Sequence, residues 1–321
     1  MENHKDARPN RVVDRDRVQP NGRIVALRGN EENRNSMPMT SPLDAKYYAD
    51  DANSLTAEVL ENVRVAQDTY RLRVACPEIA QLACPGQFVM LRLSQFNDPL
   101  IGRPLALYDT YLDKSKSPLG LDVVYLVAGK LTRRLAQIQP GQFVEIWGPL
   151  GNGFLPAPVE HLVMVAGGIG QTPFLALAKE YLGVKRYGSP PRELPVSRKI
   201  TFCYGARHAD LLAGVEDFES LDIHVRIATE DGSRGRQGRV TDLLQEILTE
   251  EDPHTTRIVC CGPEPMMESV AQIAELRNVP CQVSLETPMA CGIGICFTCV
   301  AKVHTQDGQW DYKRTCVEGP V

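Results

Sequence analysis

The stretch "HLVMVAGGIGQTPFLALAKEYL" (161–182) runs from an apolar strand through three glycines into a helical pattern. Gly167, Gly168 and Gly170 let backbone N–H groups come close to an anion at the positive end of that helix, as a dinucleotide pyrophosphate requires. The spacing is G-G-x-G rather than G-x-G-x-x-G, so a plain tight turn is the competing reading at this point. The same rhythm continues from 158 to about 283. "KITFCYGAR" leads into "HADLLAGVEDFESL", and "TRIVCCGPEPMMESVAQIAEL" is followed by "CQVSLE". Alternating strands and helices predict an open, mostly parallel α/β sheet.

Upstream, from about 53 to 157, the pattern shortens to β-type runs such as "GQFVMLRL", "LDVVYLVAGK" and "GQFVEIWGP". Pro-Gly and Gly mark the turns, and only "LTRRLAQI" has helical spacing. Short strands with little helix between them predict a small antiparallel barrel. Within "LIGRPLALYD" (100–109) the proline of Arg103-Pro104 suits an edge or a bulge. Arg103 is either a solvated barrel corner or a phosphate clamp, for which arginine has the charge and the fork geometry. "GPLGNGF" (148–154) is a second glycine cluster, compatible with a loop lying against a ligand. Residues 1–52 carry nine Lys/Arg, nine Asp/Glu and six Asn. That segment cannot bury enough apolar surface to offset chain entropy and is expected to be disordered.

At 321 residues, 43% hydrophobic and 23% charged, the chain can build two or three domains of ordinary globular composition. A net charge of -5 with no basic block argues against nucleic acid as a partner. The best membrane candidate, 162–178, is interrupted by glycines and a proline and is slightly short for a span. With no secretory pattern at the start, a cytoplasmic location and no membrane association are expected.

The chain has ten cysteines. Cys76, Cys84, Cys203, Cys260 and Cys281 lie in apolar, mostly strand-like runs, where a small buried hydrophobe is the plain reading. Four others are set apart by spacing: Cys291, Cys296 and Cys299 in "MACGIGICFTCVAK", then Cys316, giving C-x4-C-x2-C-x16-C. This is the plant-type spacing of a [2Fe–2S] cluster, whose irons need four thiolates. A structural zinc site is the rival, although such sites usually offer two short Cys-x2-4-Cys pairs. The 38 residues from 284 to 321 are too few for a complete plant-type ferredoxin domain and hold the cysteines plus a probable hairpin.

Taken in order, "GRPLALYD", "GPLGNGF", "AGGIGQTP", "YGARHADLL", "ATEDGSRGRQGRVTDLL", "CGPEPMM" and "ACGIGICFTC" resemble the ferredoxin–NADP reductase superfamily. Over roughly 53–321 the likeness narrows to the electron transfer subunits of NAD-dependent dihydroorotate dehydrogenase. The resemblance implies an FAD-binding barrel (53–157), an NAD-binding α/β domain (158–283) and a [2Fe–2S] module (284–321). It implies that Arg103, Pro104, Leu105 and Ala106 hold FAD, with Gly129, Thr132 and the loop of Gly148, Gly151 and Gly153. Ala106 stands where the family has a serine, and Leu131 where it has a glycine. Gly167, Gly168, Gly170, Gly262 and Pro263 fall to the nucleotide, and Cys261 to the catalytic position near the nicotinamide. Cys291, Cys296, Cys299 and Cys316 become the cluster ligands.

Nicotinamide moves two electrons as a hydride while an iron–sulfur cluster passes one, so a flavin must stand between them. No segment is left for a dihydroorotate site. The resemblance therefore implies a separate FMN-containing catalytic subunit, in a heterotetramer with two subunits of each kind. The small subunit of an NADH-dependent ferredoxin–NADP oxidoreductase or sulfide dehydrogenase is the nearest alternative. A zinc-stapled interaction module without flavin is the alternative of another class.

Overall fold

The computed structural model describes residues 51–93, 98–304 and 308–321. The disorder expected for 1–52 falls almost wholly outside them. Strands β1 (Asn53–Ala66), β2 (Thr69–Ala75), β3 (Phe88–Arg92), β4 (Arg103–Leu112), β5 (Pro118–Leu126) and β6 (Phe143–Leu150) close into an antiparallel barrel, in the order β1-β2-β5-β4-β3-β6. Alternation makes the barrel. In β2, Leu72 and Val74 point inward and are fully buried, while Arg71 and Arg73 point outward to Glu61 and Asp122. Each inward aliphatic contributes about 1.5–3 kcal/mol, and a one-residue slip would turn the whole set into solvent.

Two short helices plug the barrel. Helix α2 (Lys130–Leu135) is the "LTRRLAQI" pattern and buries Leu131 and Leu135 in the barrel core. Helix α1 (Pro77–Leu82), which buries Ile79 and Ala80, was not expected from sequence. Six residues are too few to display a 3.6-residue period, and Pro77 at the first helical position was its one available signal.

The second half is a wholly parallel sheet of β7 (His161–Gly167), β8 (Lys199–Ala206), β9 (His224–Thr229), β10 (Arg236–Gln237), β11 (Thr256–Cys261) and β12 (Cys281–Ser284). Its order is β10-β9-β8-β7-β11-β12. Strand β7 is buried at every residue because both of its faces are covered. Leu162, Met164 and Ala166 pack with α3 (Phe174–Tyr181) and α4 (Val215–Glu219). Val163 and Val165 pack with α5 (Val240–Glu250) and α6 (Glu264–Arg277). The helix read into "HADLLAGVEDFESL" is broken. It becomes a 3-10 turn at Ala209–Leu211 and then α4, because Gly214 takes a left-handed conformation at φ 68°.

The C-terminal part is the hairpin of β13 (Val300–His304) and β14 (Trp310–Arg314), followed by α7 (Thr315–Glu318). It packs on the barrel through Met289, Cys299 and Cys316 against Phe88 and Met90 of β3 and Leu150 of β6. No helix among the described residues is long and apolar enough to cross a membrane.

Candidate functional site

The strand order reverses between β7 and β11, and in such sheets ligands bind at the carboxyl ends of the two strands that flank the reversal. The glycine turn ends β7, and Cys261, Gly262 and Pro263 end β11 directly beside it. Gly167 lies under Met266 and Pro263. At Gly170 an added Cβ would sit 2.5 Å from the carbonyl carbon of Cys261 and 2.6 Å from Cα of Gly262, so the two turns touch backbone to backbone. Gly168 differs: at φ 55° it has nothing within 4 Å of an added Cβ, so its backbone is open to an approaching ligand. The Cys261 thiol is buried, interacts with Ser284 and is held well above the ordinary thiol range, first by burial and then by Glu286. Burial therefore favours the neutral thiol at this end of β11.

On the barrel, Arg103, Pro104, Leu105 and Ala106 begin β4 and pair with Leu91, Met90, Val89 and Phe88 of β3. Pairing of β4 with β5 starts only at Leu107 and Val123, so the other edge of Arg103–Ala106 has no strand partner among the described residues, while β5 stays bound to β2. This is the edge position that Pro104 requires. The exposed Arg103 guanidinium donates to the carbonyls of Ile101 and Gly102 at 3.1 and 3.0 Å and, among the described residues, has no carboxylate partner. An open edge ended by an arginine whose charge has no carboxylate partner among the described residues suits a flavin dinucleotide.

Gly129 is the N-cap of α2, and Thr132 accepts from its N–H at 3.0 Å. Leu131, the family's glycine, turns its side chain into the barrel core at 1% exposure, so it does not obstruct the outer face of that turn. The loop of Gly148, Gly151 and Gly153 has neighbours within the protein. Gly151 receives Gly319 and Pro320, and Gly153 receives the carbonyl of Pro85. Asn152 donates to the Val321 carbonyl at 2.8 Å and its N–H to the Gly319 carbonyl at 2.6 Å. Close packing of residues 319–321 thus accounts for Gly151, and packing against Pro85 for Gly153.

The four candidate ligands lie in two pairs in the C-terminal part, beside β3 and β6. The Cys296 thiol interacts with Cys291, and the Cys316 thiol with Cys299. Hydrogen bonds from Thr298, then Cys291, lower Cys296 to about 6, whereas burial, then Cys299, pushes Cys316 up to about 12. Among the described residues no three His, Cys, Asp or Glu close on one metal-ion position. In a [2Fe–2S] cluster two irons divide four thiolates between them, and the pairs Cys291/Cys296 and Cys299/Cys316 are compatible with that division. Gly292 holds φ 75°, and a Cβ there would lie 2.6 Å from Cγ of Met90, so only glycine lets the loop rest on the barrel. The Ile293 N–H already faces the Cys291 sulfur at 3.4 Å.

Comparison with known proteins agrees with these three features. The iron-sulfur cluster binding domain of dihydroorotate dehydrogenase B matches residues 286–321. An oxidoreductase NAD-binding domain matches 164–272 and an oxidoreductase FAD-binding domain matches 56–154. The dihydroorotate dehydrogenase B (NAD(+)) electron transfer subunit of Desulforamulus reducens is 37% identical, over 83% of this chain and 94% of its own. That of Caldanaerobacter subterraneus subsp. tengcongensis is 35% identical, over 83% and 95%. The chain belongs to this family. It is an oxidoreductase component with FAD, NAD and iron–sulfur domains. Among solved structures, the NADH-dependent reduced ferredoxin-NADP oxidoreductase has a TM-score of 0.67 at 28% identity, covering 82% of this chain and 86% of that one. The ferredoxin reductase in carbazole 1,9a-dioxygenase shares the fold, with a TM-score of 0.60 at 17% identity over 72% and 69%.

Two supporting residues escaped the sequence reading. Trp147 donates from its indole to the Cys291 carbonyl at 2.9 Å. Arg314 donates to the Gly294 carbonyl at 3.0 Å, with its guanidinium 5.2 Å from the Phe297 ring centre. Neither belongs to a spacing motif. Arg314's place two residues before Cys316 was the one hint.

Proposed function

We propose that this chain carries electrons from the FMN of a dihydroorotate-oxidising catalytic subunit, through a [2Fe–2S] cluster and FAD, to NAD in pyrimidine biosynthesis. Its working form would be a cytoplasmic heterotetramer with two copies of each subunit. Residues 53–157 form the FAD domain, 158–283 the NAD domain and 284–321 the cluster module in this reading. FAD, when bound, supplies the step between hydride and single-electron chemistry. The protein's own part is placement. Arg103 to Ala106 offer the FAD edge, helped by Gly129, Thr132 and the Gly148–Gly153 loop. The turns of Gly167, Gly168, Gly170, Gly262 and Pro263 take the dinucleotide, with Cys261 walling the nicotinamide position. Cys291, Cys296, Cys299 and Cys316 hold the cluster.

The observation that carries the proposal is the position of Met90. It pairs with Pro104 on one side and Trp147 on the other, and its side chain lies against Gly292. A single strand thus separates the proposed FAD edge from the cysteine loop. Arg103→Ala should weaken FAD binding about 10- to 100-fold, the worth of one charge-assisted hydrogen bond of about 1.5–3 kcal/mol. Cluster absorbance should be unchanged. Equal FAD affinity in a flavin titration would remove Arg103 from the site.

The exposed face of the cysteine loop is apolar. Ile295 is 70% and Phe297 63% exposed, with Ile293, Trp310 and Tyr312 also open to solvent. This is the surface on which we place the catalytic subunit, because it lies over the module that must exchange electrons with it. Ile295→Asp should weaken assembly about 10-fold or more, as loss of an interface anchor does. FAD and iron content should be normal. Unchanged affinity by calorimetry would move the interface elsewhere.

A further inference from the structure

Asp109 lies six residues beyond Arg103 on β4, 7% exposed, at the seam between barrel and parallel sheet. It accepts from Lys179 of α3 at 2.6 Å, from Lys185 at 2.6 Å and from Tyr187 at 2.8 Å. Lys185 also donates to the Thr110 carbonyl at 2.6 Å. Tyr187 is buried within the barrel core cluster, so the segment after α3 is itself seated on the barrel. Burial would raise the Asp109 carboxyl, but Lys185 and Lys179 outweigh it and hold the group below its ordinary range. A carboxylate this deep is costly unless each partner is in place, so the network favours one relative position of β4 and α3.

Those two elements lead directly to the two halves of the proposed reaction centre. From Asp109, β4 runs back to Ala106 and Arg103. From Lys179, α3 runs back through Pro173 to the turn of Gly168 and Gly170. We infer that the Asp109–Lys179–Lys185–Tyr187 network is a positioning clamp that sets the separation of flavin and nicotinamide for hydride transfer. The inference rests on the assignment of FAD to β4 and of the dinucleotide to the β7 turn. In this reading the clamp acts through the two elements it joins. Misplacement of reacting groups by about 1 Å can cost about 100-fold in rate.

The test uses Asp109→Asn and the double variant Asp109→Asn/Lys185→Met. The native network sets one carboxylate against two ammonium groups, a balance of +1, and the double variant keeps one ammonium, again +1. The double variant therefore preserves the buried charge if the single one folds poorly. With intact holoprotein, rapid mixing with NADH should show flavin reduction slowed about 10- to 100-fold. NADH affinity, FAD content and cluster absorbance should stay near normal, while the long-wavelength charge-transfer band between nicotinamide and flavin should weaken. Lys185→Arg, which retains a donor and a charge, should keep most of the rate. An unchanged rate and band in fully loaded variants would overturn the clamp. Loss of FAD from both variants would overturn it as well, since the network would then be only structural support. Failure of NADH to reduce the flavin of the unaltered protein would refute the cofactor assignment instead.

Discussion

Cys296→Ser should cut dihydroorotate-driven NAD reduction in the assembled complex on the order of 100-fold or more, because an oxygen ligand holds these irons far less well than thiolate. NADH should still bleach the flavin, and small dyes that draw directly on the flavin should still be reduced. Cys296 is suited to this test because it lies on the exposed part of the loop. Cys316 is fully buried and shares a core cluster with Met90 and Leu150, so its replacement would disturb the packing of the module as well. Gel filtration must first show that the variant still assembles. A variant that assembles, lacks its cluster and couples at the normal rate would show that the thiols are not in the electron path.

Gly170→Ala should destabilise the protein by about 3 kcal/mol or more, at the upper end for overpacking, because rigid backbone obstructs the new methyl group. The Cys261 carbonyl and the Gly262 Cα are the obstacles, and neither can move without shifting β11 and α6. Gly168→Ala makes the control. Its φ of 55° costs an alanine about 1–2 kcal/mol, yet nothing lies within 4 Å of the added carbon. It should therefore fold while binding NADH more weakly, because the methyl group occupies the open approach to the backbone. Denaturant melts paired with NADH titrations separate the two effects. Equal melts for Gly170→Ala and the unaltered protein would contradict the description of the two turns.

The two large layers were legible in the sequence because each has a period that packing imposes. Strand β7 reads as a continuous apolar run since both its faces are covered. Parts of β1, β2 and β6 alternate because only one face is buried there, whereas β3, β4 and β5 are buried at consecutive residues. The cysteine loop was legible by spacing, which is chemistry constraining sequence directly. What the sequence concealed were contacts between distant segments. Leu131 was legible only as a departure from the family's glycine, and only the fold shows its side chain turned into the barrel. The internal packing that calls for glycine at 151 and 153, against Pro320 and the Pro85 carbonyl, was equally hidden in the sequence. Asp109 was visible at the end of "GRPLALYD", but its three donors lie 70 to 78 residues further on, beyond any local pattern.

The central claim is that one chain joins the cysteine loop to nicotinamide through FAD. The most direct test is to reduce the purified chain anaerobically, add NAD, and freeze samples over time for electron paramagnetic resonance alongside NADH absorbance. The account predicts that the reduced [2Fe–2S] signal decays as NADH appears, and that neither change occurs after FAD is stripped. A cluster signal that persists while NADH forms, or a protein whose four cysteines carry zinc and give no signal, would contradict it.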